Sequence, residues 1–125
     1  PKGDGSVPEE SVRALRDIGA WMRVNGEAIY GTTASPYEKL AWGRCTQKAG
    51  KGGPERLYLH VFDWPRNGRL EIPALRGSEP VKAWLLAGGG KATVSPTGRT
   101  WTVQVPATAP DPVVSVVALK LEPAR

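Results

Sequence analysis

The chain has 125 residues, of which 40% are hydrophobic and 23% charged, and it contains 15 Gly and 12 Pro. This length suffices for one ordinary domain with a compact core, and the many Gly and Pro favour turns over long helices. The net charge of +5 results from 17 Lys and Arg against 12 Asp and Glu, and the basic residues are scattered singly along the chain, which does not indicate a nucleic-acid partner. No apolar run approaches the roughly 20 residues of a membrane helix, so no membrane partner is expected.

The first 34 residues differ in kind from the rest. Ser6 and Glu9 have the spacing of a capping box, so a helix is expected to begin beside them and to end at Asn25-Gly26. The apolar residues that share one side of this helix are Val12, Leu15, Ile18, Gly19 and Met22. Because no other segment is typical of a partner helix, we expect this apolar side to pack on something outside the chain.

From Ser35 onward the hydrophobic period becomes two, interrupted by Gly and Pro clusters. We predict an antiparallel β-sandwich of about seven short strands preceded by one amphipathic α-helix, a mainly β fold. A flexible loop is expected at residues 48–54, and a hairpin is expected over residues 91–105 with its turn at Pro96-Thr97-Gly98. The other predicted strands cover residues 39–47, 81–86 and 113–121, the last of them apolar on both faces.

Residues 57–72, LYLHVFDWPRNGRLEI, are the predicted centre of the sandwich. Alternation over residues 57–62 indicates a strand with both faces substantially covered. Pro65 ends that strand because it lacks an N–H, and Asn67-Gly68 supplies the positive φ angles of a tight reversal. The stretch therefore predicts a β-hairpin that continues into residues 69–72.

Few side chains are candidates for chemistry. His60 has no Ser, Cys or second His in a recognisable arrangement, and we expect it to form a hydrogen bond within the sandwich. Asp63 and Glu71 flank the central turn and could form a carboxylate pair for glycoside hydrolysis, although on a hairpin they are more often surface charges. Cys45 is the only cysteine, which excludes an intrachain disulfide and favours a buried thiol.

The five tryptophans leave two interpretations open. Aromatic residues at alternating strand positions are more often part of a core than a sugar-stacking platform. A free-standing carbohydrate-binding module would instead expose a residue such as Trp64 or Trp84 on a concave face.

Four segments of the chain carry a resemblance to a known family. Residues 3–32 (GDGSVPEESVRALRDIGAWMRVNGEAIYGT) are followed in order by residues 42–46 (WGRCT), 57–65 (LYLHVFDWP) and 109–121 (APDPVVSVVALKL). The first resembles the exit of the last barrel helix from the catalytic domain of family 29 α-L-fucosidases. The other three resemble the C-terminal β-sandwich of that family.

The resemblance implies the C-terminal part of a retaining exo-glycosidase that removes terminal α-L-fucose through an Asp nucleophile and a separate acid/base carboxylate. Residues 1–34 would be the terminal helix and exit segment of a truncated catalytic barrel, and residues 35–125 the C-terminal β-sandwich domain. Both catalytic carboxylates would lie upstream of Pro1. We therefore expect no hydrolase activity from this chain alone.

The implied partners are the catalytic barrel of the parent chain and, through the parent enzyme, fucosylated glycans. No metal or organic cofactor is expected for this chemistry. No catalytic, cofactor-binding or metal-binding role is assigned to any residue, since none of the family's catalytic positions falls on Glu27, Asp63 or Glu71. The sequence leaves a homo-oligomer and the cellular location open.

Overall fold

The computed structural model describes residues 9–88 and 90–125. Helix α1 spans Glu9–Asn25 and is followed by a short 3-10 helix at Gly26–Ala28. The predicted helix and its end are therefore confirmed, whereas Ser6 of the predicted capping box lies outside the described residues. The strands are β1 (Thr33–Ala34), β2 (Gly43–Gly50), β3 (Gly53–Val61), β4 (Arg69–Pro73), β5 (Ser78–Leu85), β6 (Thr93–Thr97), β7 (Thr100–Gln104) and β8 (Ser115–Pro123).

The eight strands form two antiparallel sheets, one of five strands in the order β1-β2-β3-β8-β5 and one of three strands in the order β4-β7-β6. Apolar side chains from both sheets meet in one core, whose fully buried members include Leu57, Leu59, Leu70, Val103 and Leu119. The predicted mainly β sandwich with one preceding helix is confirmed. It has one strand more than expected because the two-residue β1 is too short to show a period.

The predicted hairpin over residues 57–72 is wrong; a turn exists there, but the positive φ predicted for Asn67-Gly68 is found at Gly68 and not at Asn67. Gly68 has a φ of +71° and its N–H donates to the Pro65 carbonyl at 3.2 Å. However, β3 pairs with β2 and β8, whereas β4 pairs with β7 in the other sheet. Both edges of β3 are already hydrogen-bonded, so the chain crosses the core after Pro65 and places Leu70 and Ile72 opposite β3.

Two other local predictions need adjustment. The flexible loop expected at residues 48–54 is a tight connection, because β2 and β3 remain paired as far as Gly50 and Gly53. The hairpin of β6 and β7 is confirmed, but its reversal lies at Gly98-Arg99, since Pro96 still pairs with Trp101. Pro96 is accepted there because β6 is an edge strand.

The side of the five-stranded sheet that faces away from the three-stranded sheet is called the outer face. The 3-10 helix and the end of α1 cover part of it: Ala28 is fully buried against Tyr58, Val116 and Ala118, with Trp21 packed beside them. Trp21 Nε1 donates to the Val114 carbonyl at 2.9 Å. In the described residues, no helix has the length and apolar character needed to cross a membrane.

Candidate functional site

The 3-10 helix is fixed to the outer face by a chain of polar contacts. Thr46 Oγ1 donates to the Ala28 carbonyl at 2.6 Å and lies 3.0 Å from His60 Nε2. A threonine hydroxyl carries one proton, and here that proton is directed at Ala28. His60 must therefore donate from Nε2–H to the Thr46 oxygen, which fixes the tautomer of the neutral ring.

His60 is buried, with 7% of its surface exposed, and burial lowers its pKa below the ordinary value. The predicted hydrogen bond within the sandwich is confirmed. Because the ring is neutral at physiological pH and its Nε2–H is used in that bond, His60 holds Thr46 and the 3-10 helix in place.

Glu27 provides a second attachment beside the first. Its carboxylate accepts a hydrogen bond from the buried Tyr58 hydroxyl at 3.0 Å and pairs with the Arg56 guanidinium at 3.4 Å. Burial is the main cause that raises the pKa of Tyr58, so the phenol stays protonated and donates. The helix–sheet joint is defined here as Glu27, Ala28, Thr46, Tyr58 and His60. Sequence reasoning missed it because these residues come from three separate segments.

The two candidate acid–base carboxylates lie on separate elements, one in the bend after β3 and the other on a strand of the three-stranded sheet. Asp63 follows β3 and Glu71 lies within β4, and both side chains are exposed. Trp42 connects the two segments: its carbonyl accepts the Asp63 N–H at 3.0 Å, and its Nε1 donates to the Glu71 carbonyl at 3.3 Å. In the part of the chain that the structure describes, no hydrogen bond links the two carboxylates.

Cys45 is 5% exposed, and burial raises its pKa to about 12. The thiol therefore stays protonated at neutral pH, and the predicted buried cysteine is confirmed.

None of the five tryptophans is among the exposed large hydrophobic residues. Trp64 is half-buried against the core, and its Nε1 donates to the Pro106 carbonyl at 2.7 Å. Trp84 is also half-buried, with the Arg56 guanidinium 5.5 Å and the Lys82 ammonium 5.8 Å from its ring centre. The exposed Trp64 or Trp84 that would mark a sugar-stacking module is therefore not observed.

A half-open groove of about 630 Å³ lies beside the joint, and its lining includes Ile29, Tyr37, Cys45, His60 and Phe62. Tyr37 donates its hydroxyl to the Pro73 carbonyl at 2.8 Å, and burial raises its pKa strongly. Tyr37, Cys45 and His60 are thus all uncharged at neutral pH. Within residues 9–88 and 90–125, no group of three or more His, Cys, Asp or Glu is placed to hold a metal ion.

Known proteins are similar to this chain in sequence and in structure. No family model matches the sequence. The α-L-fucosidase of Branchiostoma floridae is 30% identical over 107 residues, which cover 85% of this chain and 23% of the relative. The solved α-L-fucosidase isoenzyme 1 from Paenibacillus thiaminolyticus superposes with a TM-score of 0.79 at 35% identity, covering 98% of this chain and 29% of that structure. The chain is homologous to part of these α-L-fucosidases.

A family 29 α-L-fucosidase from Bacteroides thetaiotaomicron extends the match, with a TM-score of 0.80 and 32% identity over 98% of this chain and 27% of that structure. A further structure of the Bacteroides fucosidase is a trapped covalent intermediate with 2-fluoro-fucosyl fluoride. The resemblance to family 29 α-L-fucosidases is thus confirmed. The chain spans about a quarter of the length of these fucosidases.

Proposed function

We propose that this chain is the C-terminal portion of a retaining α-L-fucosidase that hydrolyses terminal α-L-fucosides. Residues 1–34 would complete the catalytic barrel, and residues 35–125 would form the domain that supports it. The observation that carries the proposal is the match of nearly the whole chain, at a TM-score near 0.8, to about a quarter of each fucosidase. The remaining length of each fucosidase has room for the catalytic barrel.

The exposed apolar side of α1 supports this division. Leu15 and Ile18 are 64% and 58% exposed, although both belong to the apolar side predicted from the sequence. Full burial of such side chains stabilises a protein by about 1.5 to 3 kcal/mol each, so covering what remains exposed would contribute roughly 2 to 4 kcal/mol in total. A barrel presents its outer helices to such a side.

The helix–sheet joint gives the sandwich a physical means of support. The end of α1 is connected to the sheet through Ala28 and Glu27, whose partners Thr46, Tyr58 and His60 lie on β2 and β3. A helix held in this way at its C-terminal end would keep a fixed position on the barrel.

The catalytic carboxylates are proposed to lie outside this chain. A retaining glycosidase needs a nucleophile and an acid/base carboxyl about 5 to 5.5 Å apart, which form and hydrolyse a covalent glycosyl intermediate. Glu27 is already bonded to Tyr58 and Arg56, Asp63 lies in the bend after β3, and Glu71 lies within β4. These positions support the proposal that the three carboxylates have structural or surface roles.

Fucose release from an aryl α-L-fucoside tests this proposal. The 125-residue chain should release none, whereas the same chain extended upstream by its barrel should release fucose with retained anomeric configuration, measured by NMR. Fucose release by the 125-residue chain, or none by the extended protein, would contradict the proposal.

A double variant, Leu15→Ala with Ile18→Ala, tests the supporting role separately. It should lower the thermal midpoint of the extended protein while leaving the 125-residue chain nearly unchanged, because only the extended protein buries both side chains. Val81→Ala is the matched control, since Val81 is an exposed aliphatic residue of the sandwich. Equal shifts of the double variant in both proteins would contradict the proposed packing.

A free-standing carbohydrate-binding module is the alternative function. Trp64 and Trp84 are half-buried, which gives this alternative little support. The fucosidase match, in contrast, covers 98% of this chain and favours the first proposal. Tryptophan fluorescence that responds to fucosylated glycans in the 125-residue chain would favour this alternative.

A further inference from the structure

Four basic residues lie side by side across the outer face. Lys48 on β2 is opposite Arg56 on β3, Arg56 is opposite Lys120 on β8, and Lys120 is opposite Lys82 on β5. Neighbouring strands lie about 4.8 Å apart, so this basic row, Lys48-Arg56-Lys120-Lys82, is roughly 14 Å long. The four residues come from four separate segments of the chain.

Most of this charge is uncompensated. Arg56 pairs with Glu27 at 3.4 Å, but in residues 9–88 and 90–125 no carboxylate lies within 4.0 Å of the ammonium groups of Lys48, Lys82 or Lys120. All three lysines are exposed. Like charges directly opposite each other on paired strands destabilise a sheet, so the row costs stability in the absence of a ligand.

The other sheet shows that this charge is not a general property of the surface. The alternate residues of β6 and β7 that point away from the core are mainly Thr and Ser, including Thr93, Ser95, Thr100 and Thr102. The basic row thus differs from the outward side of β6 and β7, and it runs in a straight line along the direction of strand pairing, with Glu79 and Glu122 as the next opposed charged pair beyond Lys82 and Lys120.

We propose that the basic row binds a linear anionic polysaccharide, whose sulfate or carboxylate groups contact successive cations. The positive charge of the row is complementary to the negative charge of this ligand, and both are extended and repeating. Trp84 lies next to the row and within 6 Å of both Arg56 and Lys82, so it restrains two of the four side chains before a ligand arrives. The ligand class rests on the proposed function, since a fucosidase acts on glycans.

A nucleic acid fits the same charge less well. Proteins that bind single strands stack bases on free aromatic rings. The ring beside the row, Trp84, is half-buried and already lies against two cations.

The test measures binding of fluorescein-labelled heparin, a linear sulfated polysaccharide, to the 125-residue chain at about 0.15 M NaCl. The row variant carries Lys48→Thr, Lys82→Thr and Lys120→Thr, and threonine is chosen because it favours strands. The control variant removes the same charge away from the row, at the exposed residues Lys39, Arg69 and Arg99.

The row variant should lose at least tenfold in affinity, and the slope of log Kd against log salt should decrease by roughly three, about one for each cation removed. The control variant should stay within about threefold of the unsubstituted chain. Circular dichroism and the thermal midpoint report folding, and the row variant should be at least as stable because repulsion is removed. If the triple variant does not fold, Lys82→Thr and Lys120→Thr alone should each reduce the slope by about one.

Further probes identify the ligand. Binding of heparin, polygalacturonate or both supports the proposal and shows whether sulfate or carboxylate is preferred. Equal losses in the row and control variants would overturn it, as would equal binding of neutral dextran. Tighter binding of an oligonucleotide or of polyglutamate than of either polysaccharide would also overturn it, in favour of a nucleic acid or an acidic protein. These assays do not involve fucose release, so their failure is distinct from failure of the proposed function.

Discussion

Replacing Thr46 by Val removes the hydroxyl that connects the 3-10 helix to His60 while keeping a branched side chain of similar shape. That hydroxyl lies 2.6 Å from the Ala28 carbonyl and 3.0 Å from His60 Nε2. The Ala28 carbonyl keeps a weaker contact with Thr32 Oγ1 at 3.4 Å, and it remains the one acceptor near the buried His60 donor among the joint residues.

A buried donor left without a partner costs about 1 to 3 kcal/mol, and because the Ala28 carbonyl remains as a weaker acceptor we expect Thr46→Val to lower the free energy of unfolding by about 1 to 2 kcal/mol. Urea unfolding followed by tryptophan fluorescence measures this change: the midpoint should fall while the slope m stays constant. Hydrogen exchange at residues 26–28 should become faster, because those residues lose their attachment to the sheet.

Thr102→Val is the matched control, because the Thr102 hydroxyl contacts Thr97 Oγ1 at 2.9 Å on the exposed side of the three-stranded sheet. Water can replace that contact, so the control should change stability by no more than about 0.5 kcal/mol. If the two variants lose equal stability, the helix–sheet joint does not contribute as described.

Three further predictions concern stability and reactivity. Burial lowers the pKa of His60 below the 6.5 of the unfolded chain, so protonation favours unfolding. The stability that His60 contributes is fully present above about pH 6.5 and is lost as the pH falls through the folded-state pKa. The urea midpoint of the His60→Gln variant should therefore fall less between neutral and acidic pH than the midpoint of the unsubstituted chain. Burial raises the pKa of Cys45 to about 12, so its thiol should react with iodoacetamide at about pH 8 only after the chain unfolds. If the native chain were modified as fast as the unfolded chain, Cys45 would not be buried as described. Gly43→Ala should cost more than about 3 kcal/mol because its Cβ would overlap the His60 carbonyl oxygen. Gly98→Ala, at a φ of +73° with no atom within 4 Å, should cost only about 1 to 2 kcal/mol, and similar urea midpoints for the two variants would contradict this difference.

Several features of the fold follow from local sequence alone. The amphipathic period and Asn25-Gly26 correctly predict α1 and its end, and alternation of apolar residues correctly predicts β7, with Trp101 and Val103 facing the core. These predictions succeed because side-chain direction repeats every 3.6 residues in a helix and every two in a strand, independently of the rest of the chain.

The pairing of strands does not follow in this way. Asn67-Gly68 gives a real turn, but the same turn can connect two strands of one sheet or lead from one sheet to the other. The choice depends on which distant strands occupy the edges of β3 and β4, and those are β2, β8 and β7.

The sequence by itself therefore determined the mainly β class, the amphipathic helix and the relation to fucosidases, each of which depends on residue type and spacing along the chain. Only the tertiary structure decided that Glu27, Thr46 and His60 form one joint and that four scattered cations form the basic row. Strand register brings these residues together, and register is set by the burial of whole strands in the core, which no local motif records.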